Sequence, residues 1–123
     1  MSHIADRLTR AELEQVHAQG TRVTVPQGWS LIWERTPADK AYLIVSGEVS
    51  IQRNHVEVAR LGPGDVVGEM AIVNNRLRTA TVVAATPLEV VHFTSEAVTE
   101  LCARIPALRD VLAETSGDRL ADA

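Results

Sequence analysis

From Thr21 onward, apolar and polar positions alternate in short runs rich in β-branched residues, each closed by Gly, Pro or Asn. The runs Thr21–Val25, Ser30–Glu34, Ala41–Ser46, Val49–Arg53, Val56–Leu61, Thr79–Ala85 and Leu88–Thr94 predict strands. Breakers fall between them at Pro26-Gln27-Gly28, Pro37-Ala38-Asp39, Gly47, Gly62-Pro63-Gly64-Asp65 and Thr86-Pro87, and Asn54-His55 reads as a two-residue hairpin turn. Many short strands at regular spacing predict a sandwich or barrel rather than a parallel sheet.

Helical periodicity flanks this block. Thr9 with Glu12 forms a capping box, Leu8 and Leu13 occupy the staple positions, and Gly20 is expected to end the first helix in a left-handed conformation. After Thr94 or Ser95 as cap, Val98, Leu101, Cys102 and Ile105 recur at i, i+3, i+4 and i+7. Pro106 interrupts that helix and opens another over Ala107–Glu114, with Leu108, Val111 and Leu112 on one face. The expected organisation is one domain: a helical segment over 1–20, a β block over 21–94, C-terminal helices over 95–115 and a frayed tail over 116–123.

Composition narrows the function. At 123 residues with 46% apolar and 23% charged positions, the chain has the make-up of an ordinary globular protein. It offers no membrane-length apolar run and no signal-peptide order at Met1 to Asp6. One cysteine excludes an internal disulfide, which makes a reducing cytoplasm the default compartment. A net charge of −4 argues against a general nucleic-acid binder but leaves room for a small anion near Arg76 and Arg78. His3, His17, His55 and His92 are scattered, so no metal set, cofactor or catalytic group is expected. Cys102 reads as core, and Trp29 and Trp33 read as core or interface rather than as stacking surfaces.

Between Val67 and Thr79 the alternation stops. Gly68-Glu69-Met70-Ala71 opens a short helical turn, Asn74-Asn75 closes it, and Arg78-Thr79-Ala80-Thr81 follows, with Arg78 nine residues after Glu69. A connection this long inside a β domain is usually functional. Its parts suit a sugar phosphate. Glycine lets a backbone come close, the N–H groups of Ala71 and Ile72 can face an anion, Glu69 can accept from a hydroxyl, and Arg78 can fork onto a phosphate. Glu69 and Arg78, on either side of the turn, are expected to look into one hollow.

These residues, with Ile44-Val45-Ser46-Gly47-Glu48-Val49 and Leu61-Gly62-Pro63-Gly64-Asp65, carry a resemblance to the cyclic-nucleotide-binding domain family over about Leu8 to Leu112. The resemblance implies a double-stranded β-helix, a jelly-roll or cupin-like β-roll that is mainly β with flanking helices. It implies a regulatory binding module rather than an enzyme, with cAMP or cGMP as ligand. Glu69 would take the ribose 2′-hydroxyl and Arg78 the cyclic phosphate; Gly68, Met70 and Ala71 would give backbone contacts, and Thr79 a hydroxyl. The C-terminal helices would close over the base, with Leu108 or Leu112 as an apolar lid. Val67 stands where the family usually has an aromatic, and Leu77 where it commonly has proline. No helix-turn-helix follows Leu112, so no direct DNA binding is expected and output would pass to a second copy or a separate protein partner. The plainer alternative is a surface ion pair between Glu69 and Arg78, on a degenerate β-roll that serves as an interaction or oligomerisation scaffold.

Overall fold

The computed structural model describes residues 8–73 and 76–115, without the side chains of Met70, Val73 and residues 111–115. Helix α1 (Arg10–Gln19) starts as the sequence expects. The Thr9 hydroxyl accepts from the Glu12 N–H at 3.2 Å, and the Glu12 carboxylate accepts from the Thr9 N–H at 2.8 Å. Leu8 and Leu13 pack into the same apolar cluster. The helix end differs from expectation: Gly20 is extended, at φ −105° and ψ 174°. Glycine is needed there for closeness instead, because a Cβ would overlap Val91 and come within 2.7 Å of the Phe93 ring.

Eight strands follow: β1 (Thr21–Val25), β2 (Ser30–Ile32), β3 (Lys40–Ser46), β4 (Val49–Arg53), β5 (Val56–Leu61), β6 (Val66–Val67), β7 (Thr81–Ala84) and β8 (Leu88–Thr94). They pair antiparallel in two four-stranded sheets, ordered β1-β8-β3-β6 and β2-β7-β4-β5, and form the expected β-roll. Asn54 and His55 both take positive φ, 51° and 66°, as a two-residue hairpin between paired Arg53 and Val56 demands. Strand β6 was not expected, since two residues are too few to show a period. The runs at β2 and β7 are shorter than expected, because the chain after Ile32 and before Thr81 pairs in a turn instead of a ladder.

Two cores share the first sheet as a wall. Between the sheets lie Ile44, Val49, Ile51, Val67, Val82 and Val90. On the sheet's other face, helices α1, α3 (Ser95–Arg104) and α4 (Pro106–Thr115) cover Leu43, Val91 and Phe93 with Val16, Leu101 and Leu108. Alternation along β8 serves both, with Leu88 and Val90 pointing one way and Val91 and Phe93 the other. Thr94 caps α3 by accepting from the Ala97 N–H at 3.2 Å, and Pro106 takes the first position of α4, where its missing N–H costs nothing. Cys102 packs partly buried against the helix-side core. No helix among the described residues is long and apolar enough to cross a membrane.

Candidate functional site

Strand β6 leads into Gly68, whose φ of +87° turns the chain sharply into the five-residue helix α2 (Glu69–Val73). Space and conformation both select glycine here. A Cβ would stand 2.7 Å from the Ile32 side chain, 2.8 Å from Nη1 of Arg78 and 3.2 Å from the Lys40 carbonyl.

Arg78 fills the space that this glycine leaves. Its side chain is only 4% exposed. Nη1 donates to the Gly68 carbonyl and Nη2 to the Lys40 carbonyl. The backbone at the same residue is clamped too: the Arg35 N–H donates to the Arg78 carbonyl, and the Arg78 N–H donates to the Thr36 carbonyl, each at 2.9 Å. Burial lowers the guanidinium pKa, the charges of Asp39, Tyr42 and Glu69 push it back up, and Arg76 opposes them. An arginine nonetheless stays charged in any protein interior. It lines a cavity of about 330 Å³ with Ile32, Trp33, Asp39, Lys40 and Tyr42. The Tyr42 hydroxyl donates to the Leu31 carbonyl at 3.3 Å. Burial, with Asp39 adding to it, raises the Tyr42 pKa, while Arg78 lowers it.

Glu69 is also 4% exposed, but it opens on a different space. It lines a hollow of about 30 Å³ with Val16, Phe93, Leu101 and Leu108, beneath the C-terminal helices. Its charge reaches the Cys102 thiol, whose pKa is raised first by burial, lowered by Arg109 and raised again by Glu69. Ala71 and Ile72 line a third cavity of about 710 Å³, with Arg76, Leu77 and the first two turns of α3. Glu69 and Arg78, expected to look into one hollow, thus line separate cavities around the connection from Gly68 to Arg78, while the charge of Glu69 still acts on the guanidinium. The physical reason is the turn at Gly68, which sends Glu69 to the helix side while Arg78 returns beside β3.

Of the other expected site residues, Gly68 and Ala71 are buried in the cassette. Thr79 is exposed, and its carbonyl accepts from Nε of Arg53 at 3.2 Å. Met70 lies in α2 with its side chain outside the described residues, as does the side chain of Leu112. The Asn74-Asn75 exit, His3 and the tail over 116–123 also lie outside. Leu108 is buried at 5% in the helix-side core. Trp29 and Trp33 are 65% and 62% exposed, so neither belongs to a core. The position of Trp33 beside Arg78 was missed, because 45 residues separate them and only the folded turn joins them. Among the described residues no cluster of three or more His, Cys, Asp or Glu could hold a metal ion.

The family model for the cyclic nucleotide-binding domain matches residues 22–105. A cyclic nucleotide-gated potassium channel of Mesorhizobium japonicum is 35% identical over 97 residues, which are 78% of this chain and 26% of the channel. The cyclic AMP receptor protein of Thermus thermophilus is 31% identical over 103 residues, 80% of this chain and 48% of the receptor. The crystal structure of the Thermus thermophilus catabolite activator protein superposes with a TM-score of 0.82 at 29% identity, covering 92% of this chain and 55% of that one. The chain thus spans about a quarter to about half the length of these relatives.

Proposed function

The chain belongs to the cyclic nucleotide-binding domain family, and we propose that it is a cyclic-nucleotide sensor, a binding module that holds a cyclic ribose phosphate at Arg78. One observation carries the reading: a buried guanidinium, kept charged and held over two carbonyls, faces a cavity that also takes in Lys40 and the Tyr42 hydroxyl. A buried cation is costly unless it meets partners, and a phosphate oxygen is a stronger acceptor for the fork than a neutral carbonyl. Gly68 and Ala71 supply backbone close to the ligand, Met70 adds its own, and Thr79 gives a hydroxyl at the rim. Likeness to a cyclic AMP receptor protein favours cAMP over cGMP.

Glu69 lines the apolar hollow beneath Leu101 and Leu108, and its charge acts on the Arg78 guanidinium. A sugar hydroxyl that engaged its carboxylate would therefore bias the position of α3 and α4 over that hollow. A ligand shifts such an equilibrium only by its differential affinity for the two arrangements. Output would then pass through these helices to a second copy or another protein in the cytosol.

Calorimetric titration with cAMP and cGMP tests the reading. Saturable one-to-one binding of at least one, abolished by Arg78→Ala, is expected. Silence of the parent protein with both at millimolar ligand would leave the interaction scaffold as the better account.

A further inference from the structure

Resting on that reading and deepening it, we infer that Trp33 is the stacking face for the nucleobase of the ligand whose phosphate sits at Arg78. The chain holds only four aromatic residues: two tryptophans, one tyrosine and one phenylalanine. Two of the four, Trp33 and Tyr42, line the cavity that Arg78 lines. Phe93 is core, and Trp29 is exposed and does not line this cavity.

Trp33 is 62% exposed, so burial does not account for an indole at this position. Its main chain is nonetheless fixed. The Thr36 hydroxyl donates to the Trp33 carbonyl at 2.6 Å, closing the turn in which Arg35 takes φ +65°. Arg35 and Thr36 of that turn make the two 2.9 Å backbone bonds to Arg78. The Glu34 N–H donates to the Thr81 hydroxyl at 3.1 Å, which ties the turn to β7 as well. The backbone that carries the indole and the backbone that carries the guanidinium are thus parts of one hydrogen-bonded turn, which sets both Cα positions before any ligand arrives. A rigid aromatic at the rim of an anion pocket offers a flat face at low entropic cost. The cavity, about 330 Å³, lies at the small end of the roughly 300–1,000 Å³ that ligand pockets occupy. Among the described residues of the C-terminal helices none lines this cavity, and Leu108 is buried in the helix-side core.

The test uses the whole chain with three ligands: cAMP, cGMP and ribose 3′,5′-cyclic phosphate, which lacks a base. Calorimetry should show Trp33→Ala weakening the preferred nucleotide about tenfold while leaving the baseless ligand unchanged, and Trp29→Ala altering neither. In a Trp29→Phe background Trp33 is the sole indole, and its fluorescence should be quenched by the nucleotide but not by the baseless ligand. Unchanged nucleotide affinity in Trp33→Ala, or an equal loss for nucleotide and baseless ligand, would overturn the stacking role while leaving the sensor reading standing. If the parent chain binds no cyclic nucleotide, the sensor reading falls and this inference falls with it.

Discussion

Arg78 and Glu69 stand at the two ends of one connection, are equally buried and within reach of each other's charge, yet line different cavities. The arginine is met by two backbone carbonyls and lines a cavity with Asp39, Lys40, Tyr42 and Trp33. The glutamate lies against valine, phenylalanine and two leucines beneath helices. Burial alone would rank them alike; their neighbours separate them. On the proposed reading, one end of this connection would receive negative charge, whereas the other lies against the packing of the C-terminal helices. A ligand that engages both must therefore act on a binding cavity and on a helix contact at once.

The largest test of this contrast is Arg78→Ala. It removes the cation and its bonds to the Gly68 and Lys40 carbonyls. Binding should weaken by about 2–5 kcal/mol, or beyond detection, in calorimetry. An affinity close to the parent's would put the anion site elsewhere.

Next comes Gly68→Ala, which forces a Cβ onto Ile32 and Arg78 at positive φ. Chemical denaturation should register a loss of roughly 1–3 kcal/mol, and ligand affinity should fall with it because the guanidinium is displaced. A stable variant with full affinity would mean that the close approach is dispensable.

Glu69→Gln sharpens the other half. If the carboxylate takes the ribose, the variant should weaken cAMP or cGMP several-fold and leave the 2′-deoxy analogue nearly untouched. Equal change in both ligands, together with faster hydrogen exchange in α3 and α4, would assign Glu69 to the helix contact alone.

The smallest expected effect concerns Tyr42, the sole tyrosine. Its folded pKa is raised above the usual ~10 by burial and by Asp39. The neutral phenol therefore contributes stability that is fully present below pH ~10 and lost as pH rises through the folded value. Ultraviolet titration of tyrosinate should give a midpoint above ~10 in the native protein. Tyr42→Phe should flatten the alkaline fall in stability and cost about 0.5–1.5 kcal/mol near neutrality through the lost bond to Leu31.

Much of the fold was legible because its signals are local. The Thr9 capping box, the Asn54-His55 turn and the alternation along β3, β4, β5 and β8 each depend on residues a few positions apart. The turn at Gly68 and the short helix after it were legible for the same reason, since their residues stand in one stretch. What the sequence hid depends on distant contacts. Gly20 does stop the helix, but in an extended rather than a left-handed conformation, and closeness to Val91 and Phe93 is what calls for glycine. The side to which Glu69 turns is decided by one glycine dihedral, not by periodicity. Trp33 reaches Arg78 only through a turn whose partners lie 42 and 43 positions along the chain.

Strand β8 carries a last implication. Because its alternate residues anchor two apolar layers, a slip by one position would evert both together. Neither layer can melt while the other survives, so heating should produce one cooperative transition, seen alike by tryptophan emission and by helical dichroism. A molecule wired in this way answers a small push on either side as a single object.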